Sequence, residues 1–208
     1  MKIAIIGASA GIGLMAVQQA LEKGHEVTAM SRNTSAMPEH AKLVKINGSA
    51  TSSDDLHKVI AGAEAVLVTI GTKDKKGTTL FTDTARALVL AASELELKAP
   101  VLVITGFGAG NSSSYLRFFM RTVIRLFLKD QYENKTQMER LIAESALAWE
   151  VVRPGMLTNG PRAQTYQVIP ELRKDMRIGK ISRADVADFL LREAENPSML
   201  YQYPALTS

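Results

Sequence analysis

The chain has 208 residues, 25 Lys and Arg against 21 Asp and Glu, and no cysteine. That is enough for one α/β domain with a substantial core, and its mild basic excess suits an anionic ligand without arguing for nucleic acid. Disulfides, thiolate catalysis and cysteine–metal sites are excluded. His25, His40 and His57 lack metal-ligand spacing, so no metal is expected.

In chain order, Lys2–Ile6 is a short apolar run ending at glycine, the pattern of a buried strand. It is broken at once by Gly and Ser with no cleavage-site pattern, and no run is long enough to span a bilayer. A cytoplasmic protein is the expectation. Ile12–Lys23 has helical spacing and stops at Gly24. Glu26–Met30 and Leu43–Ile46 read as strands. Ser53–Ile60 opens with a helix-start signal. Ala65–Ile70 is a fourth strand, Thr82–Leu95 a long helix, and Pro100–Thr105 a fifth strand. Tyr115–Lys129 and Tyr132–Ser145 read as two helices broken near Asp130. Glu150–Arg153 is a sixth strand. Ser182–Asn196 is a helix with a Ser182…Asp185 start, and Met199–Tyr203 is expected as an edge strand. Strands alternating with helices predict an α/β fold: a Rossmann-like, doubly wound parallel sheet in three layers, forming a single domain. Residues 156–180 are expected to form a small substrate-side insertion.

The first strand runs into Gly7-Ala8-Ser9-Ala10-Gly11-Ile12-Gly13, which opens a helix. In this context the first glycine permits a tight turn. Gly11 lets a pyrophosphate approach backbone N–H groups, and Gly13 lets helix and strand pack closely. Gly7, Ser9, Ala10, Gly11, Ile12 and Gly13 are therefore candidate dinucleotide-binding residues. The spacing is GxxxGxG. The second strand ends in Met30-Ser31-Arg32, with no acid to accept ribose hydroxyls. A guanidinium and a hydroxyl there suit a 2′-phosphate, so NADP(H) is expected over NAD(H), which stays possible.

With these motifs go AGAEAVLVTIGT at 61–72, VLVITGFGAG at 101–110, NKTQMERLIAESALAWEVVRPGMLTNGP at 134–161 and GKISRADVADFLL at 179–191. Together they resemble the atypical short-chain dehydrogenase/reductases, the single-domain NAD(P)H-binding group with flavin reductase/biliverdin-IXβ reductase and NmrA-like proteins. The resemblance implies that Ile70, Gly71 and Thr72 run along the nicotinamide ribose and that Thr105 and Gly106 face the nicotinamide. It further implies that Lys135 binds ribose hydroxyls and that Pro154, Gly155, Met156 and Leu157 close over the nicotinamide amide. Gly48 and Ser49 follow the third strand where many relatives have Gly-Asp near adenine. The superfamily's YxxxK pair is absent: Tyr132 precedes Lys135 by three positions. Positions three and four apart share a helix face, so Tyr132 is kept as a catalytic candidate with Thr105 and Lys135.

Without that pair, acid catalysis is expected to be weak, which favours acceptors that take hydride readily. The implied function is hydride transfer from NADPH to a conjugated acceptor: a flavin, a quinone or a bile pigment. A nonenzymatic redox sensor of NmrA type is the alternative, and a sugar-nucleotide epimerase or dehydratase a weaker one. Arg117, Arg121, Arg125 and Lys129 recur every four residues. This basic stripe is either a rim for a flat, anionic small molecule, a membrane-surface or partner helix, or a solvated face. A monomer or homodimer is expected.

Overall fold

The structure is a computed structural model that describes residues 1–74, 76–174 and 176–208. Along β1 (Lys2–Ile6) the side chains alternate between two cores: Ile3 and Ile5 on one face, Ala4 and Ile6 on the other. The alternation repeats in β2 (Glu26–Ser31), β4 (Ala65–Val68), β5 (Pro100–Ile104) and β6 (Ala148–Pro154). Both faces of these strands are apolar because both are covered, as parallel sheets require. Helices α1 (Gly11–Glu22) and α6 (Arg183–Glu195) cover one face. Helices α2 (Ser53–Ile60), α3 (Leu80–Glu94) and α5 (Lys129–Ala143) cover the other. Among the described residues no helix is long and apolar enough to cross a membrane.

With β3 (Leu43–Asn47), β8 (Gln167–Ile169) and β10 (Ala205–Thr207), the main sheet has the order β3-β2-β1-β4-β5-β6-β10-β8. Pairing is parallel as far as β10, and β8 runs antiparallel to it. The expected doubly wound sheet is present. Its order reverses between β1 and β4, which opens a crevice at the carboxyl ends of the strands. Residues 156–180 belong to this frame. β7 (Met156–Thr158) and β9 (Lys180–Ser182) pair at the base of the segment, and β8 extends the main sheet.

Three details differ from the sequence expectations. Met199–Tyr203 is not a strand: Tyr201 has φ +63°, and Tyr201 and Tyr203 pack their rings on Trp149. The final strand is β10, and it lies inside the sheet. The alternating aromatics pack on Trp149, and the backbone beside them bonds to β6, Tyr201 N–H to the Trp149 carbonyl at 2.6 Å and Val151 N–H to the Gln202 carbonyl at 3.1 Å, but the regular strand begins only at Ala205. Before α4 (Phe118–Phe127), Gly110–Tyr115 forms a 3-10 turn. The break between the two helices falls at Leu128, so that α5 begins at Lys129.

Candidate dinucleotide site

The glycine turn is shaped by close approach. Gly7 has φ +85°, and a Cβ there would lie 2.9 Å from Ile70 N. A Cβ on Gly13 would collide with the Gly7 carbonyl oxygen and Thr69 Oγ1. Thr69 Oγ1 donates to the Ile6 carbonyl at 2.9 Å, and the Gly7 and Ala8 N–H groups donate to the Met30 carbonyl at 2.9 and 3.1 Å. The turn is thus braced by β2 and β4, and the helix that follows has no side-chain cap and no acid in its first turn. Its N–H groups and positive dipole end face the crevice without a built-in anion. These residues fit the pyrophosphate of a dinucleotide.

Ser9 and Ser31 hydroxyls meet at 2.7 Å, joining the turn to the end of β2. Arg32, next along, is exposed, and among the described residues it forms no ion pair. Gly48 N–H donates to the Ser31 carbonyl at 3.1 Å, which closes this edge. Ser49 N–H donates to Asp55 Oδ2 at 3.0 Å, and this bond holds the Asp55 carboxyl below its usual range. The Asp55 carboxylate of α2 is thus turned onto the backbone at Ser49.

The other end of the crevice is built from β4, β5, β6 and α5. The loop of Ile70, Gly71 and Thr72 is tied to α5 through Gln131 Nε2, which donates to the Asp74 carbonyl at 2.6 Å. Lys135 Nζ donates to the Thr105 carbonyl at 2.7 Å and lies 5.2 Å from the centres of the Phe81 and Tyr132 rings. A methyl group on Gly106 would be 3.5 Å from the Tyr132 hydroxyl and 3.6 Å from Lys135 Nζ. Tyr132 therefore reaches the end of β5 beside Lys135 despite the three-residue spacing. Burial pulls Lys135 down to about 8, against an upward pull from Glu139. Burial raises the Tyr132 phenol, so it stays protonated.

Thr105 plays a different part from the one expected. Its hydroxyl is buried and donates to Glu139 Oε1 at 2.6 Å, leaving only its carbonyl for the site. Glu139 also binds Arg153 through Nε at 3.0 Å and Nη2 at 2.7 Å, and Arg153 Nη1 donates to Asn111 Oδ1 at 2.6 Å. This network fixes β5, β6, α5 and the 3-10 turn together. Glu139, Arg153 and Asn111 were missed in the sequence. The one legible signal was Glu139, four residues after Lys135 and so on the same helix face. Pro154 accepts from Phe107 N–H at 2.9 Å, and Gly155 N–H donates to the Leu206 carbonyl at 2.9 Å. Met156 N–H donates to the Gly179 carbonyl at 2.9 Å, with its side chain half exposed and Leu157 partly buried behind it.

Beside Tyr132 lies a cavity of about 770 Å³ lined by Gly108, Leu116, Ile124, Thr136, Arg121, Arg125 and Lys129 among others. Three of the four residues of the basic stripe thus line a space that borders Tyr132, together with Glu133, whose carboxylate lies 3.6 Å from Lys129 Nζ.

A doubly wound sheet with a glycine turn at its switch point defines a dinucleotide-binding protein. The NAD(P)H-binding family model matches residues 7–197, and the chain belongs to that family. It is 29% identical over 196 residues to an uncharacterized sugar epimerase, YhfK of Bacillus subtilis, with 90% of this chain and 85% of that protein aligned. A 3-beta-hydroxysteroid dehydrogenase of Mycolicibacterium neoaurum is 31% identical over 85 residues, spanning 41% of this chain and only 23% of that protein. Among solved structures, a short-chain dehydrogenase/reductase of Veillonella parvula in complex with NADP superposes with TM-score 0.84 at 19% identity, covering 100% of this chain and 94% of that one. ChuY, an anaerobilin reductase of Escherichia coli O157:H7, superposes with TM-score 0.81 at 21% identity, covering 100% and 97%.

Proposed function

We propose that the chain is a reductase that passes hydride from NADPH to a conjugated acceptor with an anionic group: a flavin, a quinone derivative or a bile pigment. The observation that carries this reading is the meeting of the Tyr132 hydroxyl and the Lys135 ammonium at Gly106, beside a pocket lined by Arg121, Arg125 and Lys129. Bound NADPH supplies the hydride. The protein supplies position and a proton. The turn from Gly7 to Gly13 holds the pyrophosphate, with Ser9 beside it, and Gly48 and Ser49 border the adenine edge. Ser31 and the Arg32 fork hold the 2′-phosphate, the basis for preferring NADPH. Ile70, Gly71 and Thr72 on one side and Pro154, Gly155, Met156 and Leu157 on the other flank the nicotinamide, and Lys135 binds ribose.

Tyr132, neutral across the working range, donates a hydrogen bond to a carbonyl oxygen or ring nitrogen of the acceptor. Lys135, poised at about 8, releases a proton near neutral pH and regains one from water. The guanidinium and ammonium groups of the stripe bind carboxylate or phosphate on the acceptor. A conjugated acceptor delocalises the charge it gains, so this modest acid suffices. Segment 156–180 forms the acceptor-side flank, and the name of the ChuY neighbour is consistent with such a substrate.

The test mixes the protein with NADPH and, in turn, FMN, FAD, menadione and biliverdin, and follows loss of reduced-nicotinamide absorbance. Turnover with an anionic acceptor supports the reading. Tight cofactor binding without turnover of any acceptor sinks it and leaves the sensor. A second reading, a sugar-nucleotide epimerase, draws on the name of the Bacillus subtilis relative and on Tyr132 reaching the site. Interconversion of UDP-sugars without net NADPH consumption would install it.

A further inference from the structure

Arg183 is the first residue of α6, and its side chain runs toward the glycine turn. A methyl group on Gly11 would lie 3.7 Å from both its Cδ and its Nε. Its Nη1 donates to Asn159 Oδ1 at 2.8 Å, so the guanidinium is held from behind by the segment after β7. Among the described residues Arg183 belongs to no ion pair. Asp185, the nearest acid on its helix, is occupied elsewhere: it accepts from the Ser182 hydroxyl and from the N–H groups of Ala163 and Gln164, each at 2.8 Å.

An uncompensated guanidinium therefore stands over the uncapped first turn of α1, where an anion's oxygens would lie. We propose that Arg183 is a ligand of the cofactor pyrophosphate, closing over it from the α6 side, with Asn159 as its positioning residue. The fork has N–H groups beyond the one given to Asn159, and these suit phosphate oxygens. This role differs from that of Arg32, which sits at the end of β2 where a 2′-phosphate would discriminate NADP(H) from NAD(H). The inference rests on membership of the NAD(P)H-binding family and is independent of the acceptor.

The test is calorimetric titration of the full chain with NADPH and with NADH, on wild type, Arg183→Gln, Arg183→Lys and Asn159→Ala, with no turnover involved. Arg183→Gln should raise both dissociation constants alike, by about tenfold to a hundredfold for a lost charge-assisted contact. Arg183→Lys should recover part of the loss, and Asn159→Ala should fall between wild type and Arg183→Gln. The affinity of Arg183→Gln should also depend less steeply on salt, a readout that a merely structural role would not move. Melting temperatures without ligand should match wild type because Arg183 is only half-buried. Dissociation constants within twofold of wild type for both nucleotides would overturn the proposal. Loss confined to NADPH would overturn it too, by assigning Arg183 to the 2′-phosphate. If Arg183→Gln does not fold, Arg183→Lys carries the same comparison.

Discussion

Lys135 shows how far a side chain's chemistry depends on what surrounds it. Its ammonium is drawn in against Phe81 and Tyr132, and burial brings it to about 8. The charged form prevails below that value and is lost as pH rises through it. If the ammonium binds the cofactor and supplies the proton, kcat/KM should fall as pH rises through about 8. In Lys135→Arg that descent should vanish, because guanidinium does not titrate there; a pH–rate profile checks both. Arg32 makes the second prediction at this scale. Arg32→Ala should raise the dissociation constant for NADPH by about tenfold or more while changing that for NADH little. Equal losses by calorimetry would remove the 2′-phosphate from its role. Both residues stand out in the sequence because each belongs to a recognisable run, and these assays test the roles given to them. The Thr105 hydroxyl was not legible there: its partner Glu139 is 34 residues away, and nothing in local spacing says which way a strand-end side chain turns.

At the scale of elements, the Glu139–Arg153 pair links α5 to β6 in a nearly dry place, with both side chains under 5% exposed. Removing one partner of such a pair leaves the other charge buried and unpaired. Glu139→Gln should therefore cost about 3–5 kcal/mol, read as a shift of the denaturation midpoint in urea. Loss under about 1 kcal/mol, the scale of exposed pairs, would mean that water reaches the guanidinium when the carboxylate is removed. The starts of α2 and α6 were well marked in the sequence, whereas those of α4 and α5 were not. The Ser182 hydroxyl does accept from Asp185 N–H at 2.9 Å, as the Ser182…Asp185 spacing suggests. The last strand was misplaced because Met199–Tyr203 has the alternation of a strand and does bond to β6 at Tyr201 and Gln202, while Tyr201 at φ +63° breaks the extended run. Alternation records which side chains are apolar; it does not show where a left-handed residue interrupts the ladder.

For the molecule as a whole, the parallel, doubly wound character of the sheet was legible because both faces of the sheet are apolar and the connections are helical, whereas the antiparallel β8 was not. What the sequence could not show was a buried acid. Glu150, in the middle of β6, is fully buried with no hydrogen-bond partner on either oxygen. Burial, with the negative charge of Glu193 added, pushes it up to about 9. Glu193 is occupied by Ser198 and Met199, so Glu150 is the carboxyl that stays neutral. A carboxyl raised in the folded state binds a proton that the unfolded chain has already released. Its drag on stability is therefore absent below the unfolded value of 4.5 and grows as pH rises toward about 9. Glu150→Gln should raise Tm, more at about pH 8 than at about pH 5. A gain that does not grow with pH would show Glu150 to be ionised in the fold.

The position of β10 carries a consequence for the order in which the protein comes together. Among the described residues β8 has its sheet partner only in residues 205–207, and Gly179 and Lys180 are bonded to Thr207 and Ser208. A ribosome makes everything up to α6 before it makes that strand. The half of the sheet that holds the glycine turn has its strand neighbours by then, whereas β8 is still waiting for its partner. Clipping the chain at Pro204 would strip β8 of that partner and Gly155 of its bond to Leu206 together, so it should loosen residues 156–180 and the turn after β6 at once, read as faster amide hydrogen exchange in both.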